Sequence, residues 1–128
     1  MIVLDENIPE NQRQLLKGWN IKTGQIGCGV GRKGLTDEEI IPTLQKLGNP
    51  AFFTRDQGFY NRYLRHKGYC LVVLAVEQYE AAYFIRRFLK HPLFKTRSGR
   101  LGMVCRVSQT GVRMWKPDAE REASIGWD

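Results

Sequence analysis

The chain has 128 residues and carries 20 Lys and Arg against 13 Asp and Glu, a formal net charge of +7. One domain fits that length, and 42% hydrophobic with 26% charged residues excludes wholesale disorder. No apolar run nears the roughly 20 residues of a membrane span, and three scattered cysteines, Cys28, Cys70 and Cys105, exclude a disulfide framework and a C-x-x-C zinc site.

Met1-Ile2-Val3-Leu4-Asp5 has neither the basic nor the long apolar region of a secretory signal, so the expected location is cytoplasmic. Ile2–Leu4 reads as a short buried strand. Pro9 fits the first turn of a helix, with Asn7 or Ile8 near its cap, Leu15 and Leu16 facing inward and Gly18 stopping it. Trp19–Lys22 reads as a second strand. Residues 24–34 hold glycines at 24, 27, 29, 31 and 34 and are expected to be loop. Thr36-Asp37-Glu38-Glu39 has the capping-box pattern and opens a helix with Ile40, Ile41, Leu44 and Leu47 on its apolar face. Pro42 is expected to distort its first turns, and Gly48-Asn49-Pro50 ends it. Ala51–Thr54 is a compact strand, followed at once by Arg55 and Asp56.

Residues 57–67 are expected to be helical, with Phe59, Tyr63 and Leu64 inward. Tyr69–Val76 is a continuous Val/Leu run, as a strand buried on both faces should be. Glu77–Lys90 is a helix with Ala81, Phe84, Ile85, Phe88 and Leu89 in its stripe. Leu101–Ser108 and Val112–Lys116 resemble a hairpin around Gln109-Thr110-Gly111. Residues 118–128 are polar and expected to be a loose tail beyond a domain of residues 1–117. Strands alternating with helices predict an α/β fold with a mainly parallel sheet, covered on both faces, and a hairpin on its edge.

Charge is unevenly spread. Residues 1–56 hold seven basic and seven acidic side chains, whereas residues 57–128 hold thirteen and six. Between Glu80 and Asp118 there are nine basic residues and no acid. Such one-signed surface suits a polyanion such as nucleic acid, against the plainer reading of a solvated, solubilising face. Tyr79, Tyr83, Arg86, Arg87 and Lys90 fall on one helical face, which suits either a single nucleic-acid strand or a packed protein face.

Two acids stand out by position. Asp5 follows the first strand and Asp56 the strand Ala51–Thr54. In an open parallel sheet, ligands bind at the carboxyl ends of the strands. If those strands are neighbours, Asp5 and Asp56 converge there, and Asp37, Glu38 or Glu39 could join them from the helix after the glycine loop. A carboxylate cluster of that kind suits Mg²⁺ or Mn²⁺, which can orient a phosphodiester and activate water. The plainer readings are a turn-making Asp5, an Asp56 that caps the next helix, and dipole-favoured acids at 37–39.

These residues carry a resemblance. Leu4-Asp5-Glu6-Asn7-Ile8-Pro9, Gly34-Leu35-Thr36-Asp37-Glu38-Glu39-Ile40 and Phe53-Thr54-Arg55-Asp56 with Phe59 resemble, in order and spacing, the small stand-alone PIN-like proteins over about residues 1–116. The resemblance implies a PIN-like three-layer sandwich and a Mg²⁺- or Mn²⁺-dependent ribonuclease. By motif match Asp5, Asp37 and Asp56 are metal ligands, with Glu38 the runner-up for the middle catalytic position. Arg55, Arg32, Lys33, Arg86, Arg87 and Lys90 are expected to hold RNA. The resemblance further implies a toxin–antitoxin setting. The expected partners are RNA, an antitoxin protein and a second copy of the chain, with no membrane. Family members often carry a further acid just after the TRD motif. Here the stretch reads Gln57-Gly58-Phe59, which favours the alternative of a non-catalytic PIN-fold module that binds nucleic acid or protein.

Gly29-Val30-Gly31-Arg32-Lys33-Gly34 spells G-x-G-x-x-G but does not follow the first strand, so a dinucleotide site is not expected. It is read instead as a loop near phosphates. His66 and His91 have no partner at ligand spacing and read as surface residues. Cys28 has no activating base, and Cys70 and Cys105 read as core.

Overall fold

The computed structural model describes residues 1–128. Its centre is one eight-stranded mixed sheet. Chain order gives β1 (Ile2–Leu4), α1 (Glu10–Gly18), β2 (Thr23–Ile26), β3 (Gly29–Val30), α2 (Asp37–Gln45), β4 (Ala51–Thr54), β5 (Cys70–Leu74), α3 (Ala81–Lys90), α4 (Arg97–Arg100), β6 (Val104–Val107), β7 (Gly111–Trp115) and β8 (Ala123–Gly126). The spatial order is β3-β2-β1-β4-β5-β6-β7-β8; the first six are parallel, β7 is antiparallel to β6, and β8 is antiparallel to β7. No helix is long and apolar enough to cross a membrane.

Strand residues are apolar on both sides because both faces of the sheet are covered. Leu4, Phe53, Val72 and Cys105 point to a core shared with Leu16 of α1 and Phe84, Ile85 and Phe88 of α3. Val3, Phe52, Leu71, Val73 and Val104 point to a second core with Ile40 and Leu44 of α2. The β1–β2 and β5–β6 connections therefore lie on one face, although they run in opposite directions along the sheet. Two such crossovers have opposite hands. The β3–β4 connection, running the other way on the other face, shares the hand of β1–β2, so α3 is the exception to a strongly one-handed rule. That exception sets α3 beside α1, where Gln12 Oε1 accepts from the backbone N–H of Ala82 at 2.9 Å.

Several expectations need correction. The second strand is Thr23–Ile26 rather than Trp19–Lys22, and β2 and β3 occupy the stretch expected to be loop. Buried Gln25 holds β2 in place by donating to the carbonyls of Asp5 (3.2 Å) and Ile8 (3.0 Å). Residues 57–67 form two short 3-10 turns, because Asp56 and Asn61 side chains accept from Gly58 N and Tyr63 N and close local turns instead of a helix. Tyr63 and Leu15 are exposed, not inward. Helix α3 begins at Ala81 after a 3-10 turn over Gln78–Glu80. Helix α2 continues through Pro42, which forgoes one bond to the Glu38 carbonyl.

The hairpin is present as β6 and β7, but residues 118–128 are not a loose tail. Ala123–Gly126 pair with β7, and Ala123, Ile125 and Trp127 pack on the first core. Gly111 is required there: a Cβ on it would stand 2.0 Å from the Ile125 carbonyl oxygen.

Candidate functional site: the acid rim

Strand β1 sends its chain outward to β2, and α2 brings the chain back to β4 on the other side of β1. The direction of winding thus reverses between β1 and β4, the place where open α/β sheets leave a crevice at their carboxyl ends. Asp5 and Asp56 lie there.

Asp5 is 8% exposed. Its Oδ2 accepts from the Thr54 hydroxyl at 2.6 Å and its Oδ1 from the backbone N–H of Glu6 at 2.8 Å. Burial pushes its carboxyl above the ordinary range; the two hydrogen bonds pull it back, and the Asp56 charge adds to the rise. Asp56 is half-buried and turns Oδ1 toward Gly58 N at 2.9 Å, so it does cap the following turn. Asp37, the first residue of α2, is near enough for the Asp56 charge to act on it. Asp37 stands at the surface, yet crowding strips part of its hydration and raises its carboxyl. The Asp56 charge raises it further, followed by those of Glu38 and Asp5. None of the three acids forms a salt bridge.

The sequence motifs interlock through residues first read as strand or cap. Thr54 Oγ1 donates to Asp5 and accepts from the N–H of Asp56 (3.0 Å) and from Asn7 Nδ2 (3.4 Å). Asn7 Oδ1 accepts from the N–H of Arg55 at 3.2 Å. Thr54 and Asn7 are the positioning residues that reading the chain for charge alone passes over; a polar residue at the very end of an apolar strand was the available signal.

The other expected residues divide. Glu38 is exposed beside Asp37. Glu39 is turned away, accepting from the N–H and hydroxyl of Thr36 and pairing with Arg32. Arg32 is therefore engaged within the chain. Lys33 packs with Glu6 over Gly27, whose φ of +82° and lack of a Cβ admit both side chains. Glu6 accepts from Gly34 N at 2.8 Å and so pins the glycine loop to the rim. Arg55 donates to the Val76 carbonyl at 3.3–3.4 Å and lines a crevice of about 530 Å³ beyond β4, β5 and β6. Arg86, Arg87 and Lys90 are not at the rim. They lie in the second half of α3, on its outer side.

The donor set of the rim is all carboxylate oxygen with no cation to offset it, which suits a hard divalent ion. No three His, Cys, Asp or Glu side chains are gathered at metal-ligand closeness, so the acids are neighbours through charge and hydrogen bonding and do not form a closed coordination sphere. Elsewhere, Cys70 and Cys105 are buried in the first core, where the Cys70 hydrogen bond and burial hold the Cys105 thiol well up. His66 is exposed and stacks on Tyr69, while His91 is half-buried against Phe94 and Trp127.

Compared with family models, with curated proteins and with solved structures, the chain matches none.

Proposed function

We propose that the protein is a PIN-like, Mg²⁺- or Mn²⁺-dependent endoribonuclease whose reacting centre is the acid rim. One observation carries the reading: Asp5 after β1, Asp56 after β4 and Asp37 at the start of α2 all stand at the carboxyl end of the sheet where the winding reverses, and no salt bridge offsets any of them. Acids in that state have an unmet need for positive charge. When bound, a divalent ion supplies that charge, offsets the charge of a reacting phosphate and makes water a better nucleophile.

The chain's own residues hold the geometry. Thr54 and the Glu6 N–H fix the Asp5 carboxylate, and the Gly58 N–H fixes one oxygen of Asp56. The start of α2 presents Asp37 with the helix dipole favouring its charge. Arg55, next to Asp56 in the chain and anchored by its bonds to Val76, keeps further donors for a phosphate. The PIN-like sandwich belongs to the same proposal and is supported by the three ordered motifs and by the strand order around β1 and β4, while the toxin role and an antitoxin partner are implied by the motif resemblance alone.

A second reading, a non-catalytic PIN-fold module, is favoured by one observation. Gln57 stands where a further acid would follow the TRD motif, and its amide is spent on the Leu74 carbonyl and on Arg106. A cleavage assay on RNA separates the two. The nuclease reading expects cutting with Mn²⁺ or Mg²⁺, none with EDTA, and a loss of at least about a hundredfold in Asp5→Asn. RNA left intact under all conditions but still bound would favour the binding module instead.

A further inference from the structure

The outer side of α3 carries a second constellation that the acid rim does not use. Arg86 lies over the Trp19 ring at 4.7 Å and Arg87 over the Trp127 ring at 4.7 Å. Both arginines, with Lys90, Tyr83 and Trp127, border a cavity of about 460 Å³ that has no acid in its wall. No carboxylate lies within 4.0 Å of Arg86, Arg87 or Lys90, and none of the three side chains makes a hydrogen bond. By contrast, Arg13, Arg32 and Arg113 are all paired with glutamates.

A guanidinium over an indole is attracted by the negative face of the ring, and its fork suits phosphate oxygens. Tyr83, with Arg87 over its ring at 6.0 Å, is still 53% exposed and borders the same cavity. Unpaired cations beside a half-exposed tyrosine ring are what a flexible phosphate chain with stackable bases needs. An acidic peptide would satisfy the cations but leave the tyrosine ring unused.

We propose that this face of α3 is a binding site for single-stranded RNA, separate from the acid rim. The site takes the strand by its phosphates at Arg86, Arg87 and Lys90, with bases against Tyr83. Helix α3 is ten residues long, about 15 Å at 1.5 Å per residue, and its first turn faces the rim side of the sheet. A strand gripped at the far half of α3 must therefore run some distance before it reaches the acids. That last consequence rests on the nuclease reading; the binding site itself does not.

The test is fluorescence anisotropy with a labelled single-stranded uridine oligomer of about a dozen nucleotides, in EDTA so that no cutting occurs. Three proteins are compared: wild type, Arg86→Gln/Arg87→Gln/Lys90→Gln, and a control of equal charge change, Lys46→Gln/Lys116→Gln/Arg121→Gln. The site variant is expected to bind at least about tenfold more weakly, and its log Kd against log salt slope to be shallower by about 2, three contacts at about 0.7 each. The control should lose less than about threefold. Should the site variant fail to fold by circular dichroism, exposed and unstacked Lys90→Glu replaces it, with a loss of several-fold expected. Equal losses in site and control variants would reduce the effect to net charge and overturn the proposal, as would no loss in either. Displacement of RNA by polyglutamate at equal charge concentration would assign the face to an acidic protein instead. Because cleavage plays no part in this measurement, an inactive acid rim leaves it intact, and a failed grip leaves the rim's assay intact.

Discussion

At the acid rim, charge is held by short hydrogen bonds; on the outer side of α3, it is held by ring faces. The Thr54 hydroxyl, itself held by Asn7, and two backbone N–H groups fix the carboxylates of Asp5 and Asp56, and the surplus there is negative charge. Around Arg86 and Arg87 two indoles hold the cations, and the surplus is unfilled donors. Directional bonds fix a position to a few tenths of an ångström, as a reacting centre requires. Stacking fixes a plane but lets the group slide, as a grip on varied sequence requires. Their separation along one helix and one sheet implies that removing either should leave the other working.

The largest effect is expected at the rim. Asp37→Asn should lower cleavage by about a hundredfold or more, whereas Glu38→Gln should change it less than about threefold, because the Asp56 charge acts on Asp37 at the first position of α2. Comparable losses in single-turnover assays would move the middle acid to Glu38. Thr54→Val should come next. It strands Asp5 Oδ2 and the Asp56 N–H in a site with little water, at about 1–3 kcal/mol of stability by denaturant titration. An unchanged midpoint would mean that the hydroxyl positions nothing.

A smaller effect follows from the raised carboxyls. An acid with a higher pKa folded than unfolded contributes stability that is full below its ordinary value, 3.8 for Asp5 and Asp37, and is lost as pH rises through the folded value. Without metal, the rim should therefore weaken the fold as pH rises from about 4 toward neutrality. Asp56→Asn should flatten that fall and lower the titration midpoints of Asp5 and Asp37 in carboxyl NMR. The smallest effect is on the grip: Trp127→Leu keeps an apolar side chain on β8 but removes the ring beneath Arg87. RNA affinity should drop about two- to fivefold, the equivalent of about 0.5–1 kcal/mol for an exposed cation–π contact.

The rim was more legible in sequence than the ground beneath it. Asp5 shows itself because a carboxylate directly ends a wholly apolar strand, and Asp56 because it follows the buried strand Ala51–Thr54 by two residues. Asp37 was legible through its capping box. Strands β2 and β3 were hidden by glycines; their extended shape comes from pairing with β1 and from Gln25, neither of which is local. The turns at 57–67 were misread as helix because Phe59, Tyr63 and Leu64 mimic helical spacing, while Asp56 and Asn61 capture backbone N–H groups first. Ala123, Ile125 and Trp127 do alternate as a strand should, but the segment is short and polar between, and the missing pattern was the partner edge of β7. The pairing of Arg86 with Trp19 and of Arg87 with Trp127 joins residues far apart in the chain and had no local signal.

The division between a reacting rim and a gripping helix is tested most directly by Asp56→Asn, with cleavage and anisotropy read on the same RNA. Asn keeps the acceptor for Gly58 N and removes one charge from the centre of the acid set. The account predicts Mn²⁺-dependent cutting reduced by at least about a hundredfold, with RNA affinity in EDTA equal to wild type or tighter by a few-fold. Cutting that survives the substitution, or affinity that collapses along with it, would contradict the account.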